Sequence, residues 1–206
     1  MSGNARPTEP RLPALPPKEW DKAMRRAMAA LVPENPRHPL PVQGGDRPKG
    51  LNALGTLAQS PELTRAFNTF NGHILFGTTL SLRQRELIVL RVADLRKCAY
   101  EWKQHVVQGW DAGLTTEEID RVPQGPDAPG WSPLERAILR AVDELVGDAF
   151  VADETWLALA GELDTQQLMD LVFTVGCYEL IAMFFNSAGV QVDDDLRRYL
   201  EGRSSA

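Results

Sequence analysis

RELIVLRVADLRKCAYEWKQHVVQGWDAG, residues 85–113, sets two apolar runs on either side of Arg96 and Lys97. The periodicity predicts a helix over about Leu82 to Leu95, a turn at Arg96–Lys97, and a second helix over about Ala99 to Ala112. Cys98, Glu101 and His105 follow at intervals of three and four residues; at about 100° per residue, all three project from one helical face. Glu101 and His105 are close enough for a carboxylate–imidazole hydrogen bond, which would fix the tautomer of a general acid/base. Cys98 falls at the N-terminus of the second helix beside two cations, a setting that favours a thiolate. Glu86 sits on the first helix, and antiparallel packing would bring its carboxylate to the same cleft. Spacing alone makes these four a candidate site, because Glu and His four apart are more often a solvated surface pair.

Outward from this stretch, every start signal is helical. Ser60-Pro61-Glu62 puts a capping hydroxyl before a proline at the first helical position. Ser81 with Gln84, Thr115 with Glu118, Ser132 with Glu135 and Asp164 with Gln167 read as capping boxes. Gly113 and Gly147 stand where helices should stop. No segment alternates like a strand between turn signals. The expectation is an all-α chain of roughly eight helices, with Asp120 to Gly130 as the one long connection.

The N-terminal region differs in kind, holding ten of the fifteen prolines in its first 50 residues. Trp20, Met24, Met28 and Leu31 form an apolar stripe that predicts one helix over Pro17 to Leu31. Val32 to Gly50, with five prolines and three glycines, predicts an extended, wrapping segment. Residues 1–50 are therefore read as a proline-rich arm with one helix, and 51–206 as a helical domain. The arm is expected to pack on the core or on a neighbouring subunit.

Bulk properties exclude several classes. A hydrophobic content of 43% with 24% charged residues is that of a globular protein. A net charge of -6, without a basic patch, argues against nucleic acid. Two cysteines cannot build a disulfide framework, and the first residues carry no apolar signal region. The longest apolar run, Leu171 to Phe185, is short for a bilayer span and contains Glu179. These features point to a cytoplasmic protein with no membrane association. Three histidines without zinc spacing, and no phosphate-binding loop or dinucleotide fingerprint, call for no metal and no cofactor. Asp193–Asp195 reads as the start of the last short helix.

The motif Arg85-Glu86-Leu87, then Cys98-x-Tyr100-Glu101-Trp102-x-x-His105, then Ala112-Gly113-Leu-Thr-x-Glu-Glu-Ile119 resembles the carboxymuconolactone decarboxylase superfamily, which includes alkylhydroperoxidase D-like proteins. The likeness runs from about Ser60 to Leu196. It implies a compact all-α helical bundle, assembly into trimers or hexamers (a dimer is the other option), and active sites near subunit contacts. In the alkylhydroperoxidase branch the motif carries a second cysteine, and here that position holds Glu101. Cys98 alone cannot close a disulfide within the motif.

The resemblance and the residues together support acid/base chemistry on a small carbonyl, lactone or carboxylate substrate. His105 would transfer the proton, Glu101 would orient it, Glu86 would act as a second acid/base and Cys98 would line the pocket. A one-cysteine, peroxiredoxin-like activity through Cys98 is the alternative, with Cys177 or an outside thiol to resolve the sulfenic acid. A non-catalytic, ligand-binding helical oligomer is the third reading. Whether Cys177, Glu179 or His73 joins the site is left open.

Overall fold

The computed structural model describes residues 6–40 and 47–204, and within them it contains ten α-helices and no strand. They are α1 (Lys22–Ala29), α2 (Leu51–Leu57), α3 (Pro61–Gly72), α4 (Leu82–Leu95), α5 (Ala99–Asp111), α6 (Thr116–Arg121), α7 (Pro133–Asp148), α8 (Asp153–Ala160), α9 (Thr165–Ala188) and α10 (Asp194–Ser204). The chain groups into two compact units: residues 78–182, and the residues before and after them.

The 78–182 unit is built around α4, which packs against α5 and α7. Leu87, Ile88, Val89, Leu90, Val92 and Ala93 of α4 are all buried, as are its polar Arg85, Glu86 and Arg91. A helix apolar on nearly every side belongs inside a bundle, and this accounts for the run LIVLRVA, which only Arg91 interrupts. Leu87 and Leu90 join Leu114, Ile119, Val122, Trp131 and Leu139 in one core cluster.

All four capping boxes form. Ser81, Thr115 and Ser132 accept from the backbone of Gln84, Glu118 and Glu135 while those side chains reach back, and Asp164 and Gln167 do the same. Two box members have a further use. The Arg83 guanidinium donates to Glu118 at 2.6 and 2.9 Å and to Glu135 at 2.8 Å, so one cation ties together the first turns of α4, α6 and α7. The long connection is closed by its own contacts: Trp131 Nε1 donates to the carbonyl of Gly125 at 3.1 Å, and Gly125 has a φ of +84° that disfavours a side chain. Two expected boundaries move. Gly147 lies inside α7, which ends instead at Ala149 in the left-handed region with φ 56°. Ser60 places no side-chain cap on α3; its backbone carbonyl accepts from Thr64 instead.

In the other unit the expected single helix over Pro17–Leu31 is split. A 3-10 turn covers Pro17–Glu19, and α1 starts after Asp21, whose side chain accepts from Met24 N at 2.7 Å. Met24, Ala27 and Ala58 form its core, with Leu15, Trp20 and Met28 against them. Two backbone bonds hold the described part of the arm: Leu15 N donates to Gly55 O at 3.0 Å, and Arg11 N to Ala188 O at 2.8 Å. A Cβ at Gly55 would come within 2.6 Å of Leu15 O, so only glycine permits this approach. Of the expected wrapping segment Val32–Gly50, residues 41–46 lie outside the described residues. Asp193 and Asp195 start α10 and also accept from the backbone N–H groups of Asn52 and Lys49, at 2.9 and 3.0 Å.

α9 is longer than the apolar run within it. At 24 residues it is long and apolar enough to cross a membrane by length and composition, but more than half of its most apolar window is buried in the protein.

Candidate functional site

Three helices of the 78–182 unit supply the site. α4 carries Glu86, α5 carries Cys98 at its N-cap and Glu101 and His105 in its first turns, and α9 carries Cys177 and Tyr178. The shared face of α5 turns inward: Cys98 and Glu101 are each 2% exposed and His105 6%, while Glu86 is wholly buried. A solvated surface pair is thereby excluded.

The pairing differs from the one the spacing suggests. His105 Nδ1 lies 2.7 Å from Glu86 Oε2, not on Glu101. The other oxygen of Glu86 accepts from Arg85 Nε and Nη2 at 2.9 and 2.7 Å. Burial, the largest single influence, acts to raise the pKa of Glu86, but the charge and hydrogen bond of His105 and then those of Arg85 outweigh it and hold the group below its ordinary value. An ionised Glu86 can only accept, so Nδ1 carries the proton and Nε2 is the basic nitrogen. Tyr178 sets its ring edge-on to the imidazole, centroids 5.0 Å apart and planes at 90°.

Glu101 is the opposite case. Both its oxygens are buried, and neither has a hydrogen-bond partner among the described residues. Burial pushes its pKa up to about 8, contact with the Cys98 thiol lowers it only in part, and the charge of Glu179 adds to the rise. At neutral pH this side chain is a carboxylic acid, a proton donor rather than an orienting anion. The role expected for Glu101, holding His105, belongs to Glu86.

Cys98 also departs from expectation. Its thiol pKa is pushed up to about 12, by burial first and by the charge of Glu101 second. The neighbouring cations are engaged elsewhere. Arg96 grips Glu179 through two 2.6 Å hydrogen bonds and donates to Val146 O at 2.8 Å, and Lys97 pairs with Asp94 at 3.0 Å on the surface. Cys177, equally buried, is also pushed up to about 12, with Glu101 again contributing after burial. Glu179 enters only through Arg96 and its field at Glu101, and His73 begins the π-helical turn His73–Gly77 of the other unit. Sequence reasoning gave Arg85 no role beyond its place in the motif and missed Tyr178. Neighbours one apart on a helix point about 100° away from each other, so Arg85 is not a spacing-based partner for Glu86. Tyr178 is distant in sequence and has no motif of its own.

The all-helical fold that carries these pairs is that of the alkylhydroperoxidase D-like bundle. Residues 61–144 match the family model described as carboxymuconolactone decarboxylase family, which supports the superfamily resemblance. Solved structures agree in fold. A complex of the debrominase Bmp8, with one cysteine changed to alanine, and 2,3,4-tribromopyrrole superposes with a TM-score of 0.70 at 12% identity, covering 95% of this chain and 98% of that one. An alkylhydroperoxidase AhpD core, an uncharacterised peroxidase-related protein from Ralstonia eutropha JMP134, gives 0.64 at 21% identity over 70% of this chain and 78% of its own. A protein of unknown function from Agrobacterium tumefaciens, proposed for antioxidant defence as an AhpD, gives 0.62 at 21% over 66% and 93%. No curated protein matches the chain.

Proposed function

We propose that the chain is an enzyme that moves protons on a small carbonyl, lactone or carboxylate substrate, with His105 as base and Glu101 as acid. The observation that carries this reading is the pair of buried carboxyl groups in opposite protonation states. Glu86 is ionised and bonded to His105 at 2.7 Å, whereas Glu101 is held neutral up to about pH 8. Two titratable groups driven apart by their surroundings are what acid/base catalysis needs. His105 Nε2 takes the substrate proton, and the Glu86 carboxylate stabilises the imidazolium through Nδ1–H. Glu101 gives its proton to the substrate oxygen that gains charge. Because the cluster is closed to solvent, it suits a small substrate admitted by local opening.

The test is proton exchange. A panel of small lactones and oxo acids is incubated with the protein in heavy water, and deuterium uptake beside the carbonyl is followed by NMR. Wild type is expected to exchange at least one of them, and His105→Gln to lose about 10²–10⁴-fold in rate. Exchange that survives in His105→Gln removes the assignment.

One observation favours a second reading, a one-cysteine peroxidase acting through Cys98: two thiols share the influence of the same carboxyl. Against it stands a thiol pushed up to about 12, since the thiolate is the nucleophile. Rapid peroxide oxidation of Cys98 at neutral pH, lost in Cys98→Ser but kept in His105→Gln, would shift the balance to this reading.

A further inference from the structure

The buried cluster has a consistent way of treating negative charge. Glu86 is ionised there, and it has Arg85 Nε and Nη2 at 2.9 and 2.7 Å and His105 Nδ1 at 2.7 Å. Glu101, at nearly the same depth, has no such donors around its oxygens among the described residues and keeps its proton. Cys98, Cys177 and Tyr178 are likewise uncharged at neutral pH, in each case with burial as the largest influence. A carboxylate at this depth therefore needs several donors at hydrogen-bond distance, and one that lacks them is neutralised.

A substrate carboxylate would need the same donors, and the neighbouring cations are committed. Arg85 is bound to Glu86. Arg96 holds Glu179 through two 2.6 Å bonds and donates to Val146 O at 2.8 Å. Lys97 pairs with Asp94 at 3.0 Å on the surface. Lys103 stands two residues from both Glu101 and His105, about 200° round the helix, so it projects from the other face of α5. Arg85 cancels Glu86 and Arg96 cancels Glu179, which leaves the cluster without net charge while His105 is neutral. We propose that the site takes an uncharged carbonyl compound, a ketone, lactone or ester, and turns carboxylates away.

We rest this on the acid/base reading, in which His105 starts with Nε2 unprotonated. An anion beside Nε2 favours the imidazolium. Arg85, Glu86 and a protonated His105 carry a net positive charge and could hold that anion, but the proton acceptor would be gone. A carboxylate would thus be bound as an inhibitor. An uncharged carbonyl compound leaves the base intact. Its oxygen accepts from the protonated Glu101, whose oxygens have no hydrogen-bond partner among the described residues. The charge that develops on that oxygen is met by proton transfer, and no fixed cation is required.

The experiment compares levulinate with its methyl ester at pH 7 on the full chain. Both carry the same ketone, and the ester is larger by one methyl group, so steric exclusion works against the expected result. Dissociation constants are read from NMR shifts of the His105 imidazole, assigned with His105→Gln. Wild type is expected to bind the ester more tightly by about tenfold or more. An ester is also the more apolar of the two, and two variants separate charge from hydrophobicity. Glu86→Gln and Glu179→Gln each remove one negative charge without changing size, leaving Arg85 or Arg96 uncompensated. The ratio of the two constants should shift toward levulinate by about tenfold in the first and by less in the second. Equal or tighter levulinate binding in wild type overturns the proposal. So does binding of neither probe, or a ratio unmoved in variants that keep their helical circular dichroism. Deuterium exchange into the ketone is followed in the same samples. Exchange that survives in His105→Gln removes the base and leaves the ester preference standing. An absent ester preference, with exchange still dependent on His105, removes the charge selection alone.

Discussion

The two ends of the buried cluster hold the same functional group at nearly the same depth and treat it in opposite ways. At the α4 end Glu86 has two cationic or protonatable neighbours within 2.9 Å and stays ionised. At the start of α5 Glu101 has only the Cys98 thiol beside it, with no other hydrogen-bond partner among the described residues, and stays protonated up to about pH 8. Burial raises the pKa in both places, so depth does not set the charge. Partners do, and they come from chain positions that the local sequence does not pair.

The largest expected effect comes from removing the charged end. Glu86→Ala leaves Arg85 and His105 buried without their shared acceptor, and truncating one partner of a buried ionic group costs about 3–5 kcal/mol. Urea denaturation at pH 7 measures it. A loss under about 1 kcal/mol would mean that the two ends are not as different as their geometry implies.

Next comes the pH dependence of the neutral end. Below about pH 4.5 Glu101 is protonated in both folded and unfolded chains. Between there and about 8 only the unfolded chain releases the proton. Stability should therefore fall as pH rises through that window, by at most about 1.4 kcal/mol per pH unit. Glu86 acts with the other sign: its contribution is present above its unfolded value and is lost as pH falls through its lower folded value. Glu101→Gln should flatten the slope between pH 5 and 8 without removing the acid-side loss. A slope unchanged in that variant would assign the titration to another group.

The smallest effect concerns the turn that joins the helices carrying the two acids. Lys97 has a φ of 50°, in the left-handed region, immediately before Cys98. Glycine relieves about 1 kcal/mol of that strain. Lys97→Gly should thus raise the urea midpoint slightly, even though it deletes the surface pair with Asp94. A lowered midpoint would show that the ion pair outweighs the backbone.

How far the sequence went follows the same division. The bounds of α4 and α5 and all four capping boxes were legible because each depends on residues within one turn of each other. That Cys98, Glu101 and His105 share one α5 face was legible from their spacing; that this face is buried was not, because the same spacing more often marks a solvated pair. Ser60 misled because a capping residue is only an option for the backbone, and here the chain enters α3 without it. The protonation states were not legible. Arg96 stands beside Cys98 in sequence, yet its charge is spent on Glu179, 83 positions away. Glu101 and His105 have the right interval, but a carboxylate from the neighbouring helix occupies the imidazole first.

Arg83 has a consequence for how the 78–182 unit comes apart. Its guanidinium is shared by acids that also complete the capping boxes of α6 and α7. Fraying any one of the three helix starts withdraws a partner from the other two. Amide protons in these first turns should therefore exchange with solvent as one block, with a common opening rate, rather than in the graded order that separate helix ends show.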